Sequence, residues 1–87
     1  MERINAMGER TRRTLVQHLN SRTPHTITEL IKVTGFDRGT IYHQLRQLQR
    51  LNLVRAQRYY MADRGTRYWL TATGEDMKQE WGNQNVH

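Results

Sequence analysis

Apolar residues recur at helical spacing near the start of the chain and again in its middle. The first stripe predicts a helix from about residue 3 to residue 20, with Gly8 as a point at which it could break. Its members are Ile4, Met7, Leu15 and Leu19. The second stripe has the spacing of one buried helix face, and its members are Ile41, Leu45, Leu48 and Leu51. We therefore expect two helices that each bury a leucine-rich face.

Start and stop signals bracket a short helix between the two stripes. Thr26 and Glu29 have the spacing of a capping box, in which a threonine caps the helix and a glutamate three residues later bonds back to it. Gly35 supplies a left-handed stop, and Asp37 is a suitable cap for the next helix. Asn52 stands where that helix would leave through a left-handed residue. The apolar face predicted for the short helix consists of Leu30, Ile31 and Val33.

The hydrophobic period changes from helical to alternating after the second stripe. Residues 53–61 are rich in valine, tyrosine and arginine and predict a strand. Residues 63–65 predict a turn, and residues 67–71 predict the returning strand of a β-hairpin. A short strand at residues 25–26 could add a third member to the sheet.

A last helix is predicted after the hairpin. Thr71 or Thr73 can cap it, and Met77 and Trp81 lie four residues apart and form its apolar stripe. The length of 87 residues fits one domain, which we assign to residues 1–82, with residues 83–87 as a disordered tail.

The composition limits the class of protein. The chain has no cysteine, so disulfides and thiolate zinc sites are excluded, and its four histidines lack metal-ligand spacing. It has no glycine-rich phosphate loop and no convincing carboxylate pair, so we predict neither a catalytic site nor a cofactor. There is no run of about 18 apolar residues and no signal peptide. These observations predict a cytoplasmic, nucleoid-associated protein without a membrane span.

Positive charge is concentrated in one segment of the sequence. The formal net charge is +6, and residues 38–67 contain seven arginines but one acidic residue, Asp63. The seven basic and seven acidic residues elsewhere cancel. A guanidinium group can grip a phosphate or a guanine edge through two N–H groups, which an ammonium group cannot do. The segment therefore indicates a polyanionic partner, for which double-stranded DNA is our first prediction.

Four runs of residues share the order and spacing of one class of regulator. They are TITEL at residues 26–30, GFDRGTIYHQL at residues 35–45, LQRLNLV at residues 48–54 and YWLTATG at residues 68–74. The first two runs are joined by a short turn with a glycine, as in a helix-turn-helix. Together the runs resemble winged helix-turn-helix transcription regulators of the MarR, PadR and ArsR types, and PadR-like regulators most closely.

This resemblance implies an α+β fold, namely a winged helix-turn-helix with a three-helix core, a β-hairpin wing and a C-terminal helix. It also implies sequence-specific binding to double-stranded DNA and transcription regulation, as a repressor, by a homodimer. The sequence departs from the pattern at Asn52, where glycine is usual. It is shorter than a full MarR protein and lacks the ArsR metal-binding residues, so metal sensing is not carried over.

The resemblance makes residues 38–51 the recognition helix and residues 54–71 the wing. Arg38 and Thr40 lie near the helix start, where side chains and backbone N–H groups can bind phosphate. His43, Arg46 and Gln47 can read base edges. The helix candidates are Arg38, Thr40, Tyr42, His43, Arg46 and Gln47. The wing candidates are Arg58, Arg64 and Arg67. All the guanidinium groups downstream of Asp37 are expected to converge on one convex surface that a duplex can accept.

Some of these residues have a structural alternative. Tyr42 could equally be half-buried packing, Arg50 and Arg55 could be solvated charges, and Trp69 could pack within the wing. Four apolar residues near the chain ends are predicted to form the dimer interface, although they could instead pack on each other within one chain. They are Ile4, Met7, Met77 and Trp81.

Two other functions are compatible with the pattern. One is a DNA-binding module for replication, partition or recombination of a phage or plasmid, which only the location of the binding site would distinguish from a regulator. The other is a winged helix that contacts proteins, against which the uncompensated arginines argue.

Overall fold

Residues 2–59 and 65–84 are described by the computed structural model, except for the side chains of residues 2–7, 59 and 84. Within these ranges the chain forms four helices and a three-stranded antiparallel sheet. Along the chain the elements are α1 (Glu2–His18), β1 (His25–Thr26), α2 (Ile27–Thr34), α3 (Arg38–Arg50), β2 (Val54–Tyr59), β3 (Gly65–Leu70) and α4 (Ala72–Gln84). The predicted α+β winged helix-turn-helix is confirmed.

Both helices of the helix-turn-helix begin at the predicted caps. The N–H of Glu29 donates to the Thr26 hydroxyl at 3.2 Å, and the N–H of Thr26 donates to the Glu29 carboxylate at 3.0 Å, which completes the capping box. Gly35 ends α2 in the left-handed region, with φ 77°. The carboxylate of Asp37 caps α3, and Asn52 leaves α3 with φ 62°, as the sequence predicted.

The core lies between the helices and one face of the sheet. Its centre is formed by the leucines of α1 and α3, and Phe36, Met77 and Trp81 pack around it as half-buried residues. The buried apolar side chains are Leu15, Val16, Leu19, Leu30, Ile41, Leu45, Leu48, Leu53, Val54, Tyr68 and Leu70.

Two residues of the predicted apolar faces are exposed instead. Leu51 is 56% exposed because it lies beyond the last residue of α3 and about 80° around the helix axis from Ile41. Val33 is 55% exposed because it lies about 200° around α2 from Ile31, which packs on the core. Each predicted apolar face therefore included one residue that does not face the core, namely Leu51 in α3 and Val33 in α2.

The first helix is continuous through Gly8 and ends at His18, two residues before the predicted end. The side chain of Asn20 explains this end, because its carbonyl oxygen accepts the N–H groups of Arg22 (2.9 Å) and Thr23 (2.6 Å). These bonds hold the chain in a turn rather than a further helical turn.

The sheet has the order β1-β3-β2, with β3 in the centre. The predicted short strand is confirmed, since His25 pairs with Tyr68. In the hairpin β2 is described up to Tyr59, and β3 begins at Gly65, two residues earlier than predicted. Residues 60–61 of the predicted first strand lie outside the described residues. In the register of the hairpin Val54 pairs with Leu70 and Tyr59 pairs with Gly65.

Thr71 ties the end of the wing to the start of α4. Its N–H donates to the carbonyl oxygen of Leu53 at 3.0 Å, and its hydroxyl donates to that of Asn52 at 2.8 Å. The same hydroxyl oxygen accepts the N–H of Gly74 at 3.0 Å, so that Thr71 caps α4. One threonine thereby joins α3, the wing and α4.

Polar contacts attach α4 to the end of α1. The Lys78 ammonium donates to the carbonyl oxygen of Leu19 at 2.7 Å, and the Glu75 carboxylate accepts the N–H of Ser21 at 2.6 Å. This hydrogen bond from Ser21 lowers the pKa of Glu75 from its ordinary value of 4.5. The helix extends to Gln84 and so includes the first two residues of the predicted tail, and residues 85–87 lie outside the described residues.

Within residues 2–59 and 65–84, no helix is long and apolar enough to cross a bilayer.

Candidate nucleic-acid interface

The outer face of α3 carries the residues predicted for the recognition helix. Arg38, Tyr42, His43 and Arg46 are exposed, and Thr40 and Gln47 are half-buried. In the described part of the chain, no carboxylate forms an ion pair with Arg38, Arg46 or Arg50. The helix therefore presents a set of guanidinium charges that nothing in these ranges neutralises by an ion pair.

The start of α3 is occupied by a carboxylate of the chain itself. The N–H of Thr40 donates to Asp37 at 2.7 Å, and this bond lowers the pKa of Asp37 from its ordinary value of 3.8. At neutral pH a negative charge therefore lies where the sequence predicted a phosphate on the N–H of Thr40. The structure gives that N–H a partner within the chain, and a phosphate contact at Thr40 stays a prediction. The Arg38 guanidinium remains exposed and reaches the Thr28 hydroxyl at 3.4 Å.

A groove separates α3 from the wing, and we call it the α3–wing groove. It contains a depression of about 570 Å³ near the start of α3 and another of about 470 Å³ toward its end. Tyr42, Thr66 and Tyr68 line both depressions, so the two are adjacent. The arginines of α3 that line the groove are Arg38, Arg46 and Arg50. The groove combines an aromatic floor with guanidinium groups along one wall.

Two groove residues, Arg50 and Thr66, are not among the site residues that the sequence predicts. Arg50 was considered a solvated charge, but it lines the groove. Thr66 was not singled out, although alternation along a strand places it on the same face as Tyr68. That alternation was the signal that could have identified it.

Tyr42 and Arg46 form a pair on the exposed face of α3. One terminal guanidinium nitrogen of Arg46 donates to the Tyr42 hydroxyl at 3.1 Å, and the Arg46 Cζ lies 5.8 Å from the centre of the Tyr42 ring. Tyr42 is 46% exposed, so its ring is not part of the buried core, and its contact with DNA stays a prediction. The two residues are one helical turn apart, so a contact between their side chains is expected.

The wing has two faces, and its arginines are divided between them. Arg58 pairs with Thr66, on the face that lines the groove, and Arg67 pairs with Gln57 on the opposite face. Arg55 and Trp69 share the face of Arg67. The expectation that every guanidinium group converges on one surface is therefore wrong for Arg55 and Arg67. Arg64 lies outside the described residues.

The residues predicted for a dimer interface are only partly described. Met77 and Trp81 are half-buried against the core of their own chain, and the guanidinium of Arg13 lies 5.2 Å from the centre of a Trp81 ring. Packing within one chain thus accounts for much of their surface. The side chains of Ile4 and Met7 lie outside the described residues.

Comparison with protein families assigns the fold to a known group. A family model described as a helix-turn-helix domain matches residues 7–57, which is more than half of the chain. The chain belongs to this helix-turn-helix domain family. The match ends in β2 and therefore includes α2 and the whole recognition helix α3. A comparison with curated protein sequences finds no match.

Solved structures with the same fold include several transcription regulators. A MarR family transcription regulator is 23% identical, with a TM-score of 0.79 over 98% of this chain and 62% of its own. The transcriptional regulator SlyA is 13% identical, with a TM-score of 0.77 over 87% of this chain and 54% of its own. FabT of Streptococcus pneumoniae, solved in complex with DNA, is 18% identical, with a TM-score of 0.72 over 84% of this chain and 51% of its own.

The helix-turn-helix domain thus spans between half and two thirds of the length of these structures. At these identities the likeness establishes the winged helix-turn-helix fold. The closer resemblance to PadR-like regulators stays a prediction.

Proposed function

We propose that this helix-turn-helix domain binds double-stranded DNA in a sequence-specific manner and regulates transcription, as a repressor. The observation that carries the proposal is the α3–wing groove, whose α3 wall presents Arg38, Arg46 and Arg50 without ion pairs to carboxylates of the described residues. An α-helix fits the major groove of B-DNA, and arginine is the side chain best suited to phosphates and to guanine.

The similar structures support the same function. They are transcription regulators, and FabT is solved with DNA bound. The wing adds a second contact region. Arg58 lies on the side of the wing that faces the groove, whereas Arg67 lies on the opposite side. Phosphate contacts from such groups supply affinity, and base contacts from α3 supply specificity.

Binding is tested by fluorescence anisotropy of a short labelled duplex with the 87-residue chain, titrated at several salt concentrations. We expect binding at low ionic strength that weakens linearly on a plot of log K against log salt. A selection of bound duplexes from a random library then identifies the preferred sequence. Absence of binding at low ionic strength, or a library that emerges without a preferred sequence, would contradict the proposal.

We further propose that the domain acts as a homodimer whose interface includes Ile4 and Met7 of α1 and the exposed parts of Met77 and Trp81. The first and last helices contact each other in one chain, so their outer faces are adjacent and can be covered together by a second copy. Analytical ultracentrifugation tests this, because a pure monomer at high protein concentration would contradict it. A selected DNA site with two symmetric halves would support it independently.

A further inference from the structure

We propose that Tyr42 is a positioning residue that sets the specificity of Arg46 for guanine. This inference rests on the proposed DNA binding and goes beyond it, because it assigns the base preference to a pair of residues rather than to one arginine. Both side chains are exposed on α3, so neither is required by the core.

The geometry of the pair restrains the arginine. A free arginine on a helix surface samples many rotamers, and ordering it costs conformational entropy when it binds. Here the bond of 3.1 Å to the Tyr42 hydroxyl and the position of Cζ at 5.8 Å from the ring hold the guanidinium before any DNA arrives. A side chain that is ordered in advance loses less freedom on binding.

Tyr42 in turn lies beside the wing. It lines both depressions of the α3–wing groove together with Thr66 and Tyr68 of β3. Tyr42 therefore faces the wing across the groove and bonds Arg46 on α3. The spacing of four residues predicts the contact between Tyr42 and Arg46, and the structure adds that this pair borders the wing.

The chemistry of the pair favours guanine. The Tyr42 oxygen accepts from one terminal nitrogen of Arg46, which leaves the other guanidinium N–H groups and the tyrosine O–H available as donors. In the major groove guanine offers two acceptors, N7 and O6, whereas adenine and cytosine each present an amino donor. These donors match the two acceptors of guanine and oppose the amino groups of adenine and cytosine, whereas thymine offers them only one acceptor, O4.

The test uses the duplex recovered from the random library and a second duplex in which the guanine assigned to Arg46 is replaced. Affinities of the intact chain and of Tyr42→Phe are compared on both. Phenylalanine retains the ring in the groove and removes the hydroxyl, so thermal unfolding should be unchanged. We expect Tyr42→Phe to reduce discrimination between the two duplexes by about tenfold, with no change in affinity for random DNA or in the salt slope.

A double-mutant cycle separates positioning from direct contact. If Tyr42 acts through Arg46, Tyr42→Phe should have no further effect in an Arg46→Ala background. Arg46→Lys should lose the discrimination as well, because lysine keeps the charge without the planar fork. Arg55→Ala, on the outer face of the wing, is the control for loss of one arginine and should leave discrimination intact.

Each other outcome overturns the inference. Unchanged discrimination in Tyr42→Phe, additive effects in the double variant, or a preferred site without guanine under α3 would exclude it while leaving DNA binding intact. An equal loss on all sequences would mean that the hydroxyl itself contacts the DNA backbone. Failure of the intact chain to bind any duplex would remove the proposed function and this inference together.

Discussion

The backbone of Gly74 in α4 lies directly against the carbonyl oxygen of Leu53, so that a side chain at position 74 would overlap that oxygen. The same carbonyl accepts the N–H of Thr71. Glycine is needed here because the first turn of α4 packs directly against the backbone that follows α3. The LTATG run is therefore a structural joint between α3, the wing and α4.

Gly74→Ala should destabilise the domain by about 2 kcal/mol, because the methyl group meets backbone rather than a side chain that can move. Urea denaturation followed by circular dichroism measures the change. Gly82→Ala is the matched control in the same helix, since nothing lies within 4 Å of a Cβ there. It should leave stability unchanged or raise it by up to about 0.8 kcal/mol. Equal effects of the two substitutions would contradict the assigned contact.

The leucines of the α3 stripe should contribute unequally to the free energy of unfolding. Leu48 is fully buried, and Leu48→Ala should cost about 3 kcal/mol, whereas Leu51 is mostly exposed and Leu51→Ala should change stability by less than about 0.5 kcal/mol. Thermal unfolding of the two variants checks this. Comparable losses would mean that Leu51 is buried in solution, for example in a dimer.

Acid should weaken the attachment of α4 to α1. The pKa of Glu75 is lowered in the folded chain because its carboxylate accepts the N–H of Ser21, so the ionised form favours folding. Its contribution is present above the ordinary pKa of 4.5 and disappears as the pH falls through the lower pKa of the folded state.

Glu75→Gln should therefore be less stable than the unchanged chain at neutral pH, and the difference should shrink as the solution is acidified below pH 4.5. Melting temperatures over a pH series measure this convergence. Glu80→Gln, at an exposed position of the same helix, is the control for removal of one negative charge. A difference that persists unchanged in acid would argue against the Ser21 contact.

The α3–wing groove and the outer face of the wing should differ in DNA binding. Arg50 lines the α3–wing groove, so Arg50→Ala should lower the slope of log K against log salt by about 1. Arg55 lies on the face opposite the groove, and Arg55→Ala should leave the slope nearly unchanged. Equal reductions would mean that the duplex contacts both faces.

The local features of the fold were predictable because their causes are local. The capping box of Thr26 and Glu29 and the cap at Asp37 depend on hydrogen bonds between residues three apart. Gly35 and Asn52 stand where the backbone takes a positive φ, which glycine and asparagine tolerate best. Residue type and spacing contain all of this information.

The candidate site was only partly predictable from the same pattern. The recognition helix and its exposed arginines follow from the helical period, but the bond from Thr40 to Asp37 shows that one residue can serve as a cap where a phosphate was expected. The sequence offers Arg58 and Arg67 as equivalent wing candidates, but they lie on opposite faces of the hairpin. Their separation depends on the register of β2 against β3.

The amino-acid sequence by itself determined where α2 and α3 begin, and that its positive charge lies in α3 and the wing, because caps, periods and charges act over a few residues. The tertiary structure alone decided that Tyr42 lies beside the wing, that Leu51 faces away from the core, and that Gly74 contacts Leu53. These relationships join segments far apart in the chain or depend on where a helix stops, so they arise only when the elements pack against one another.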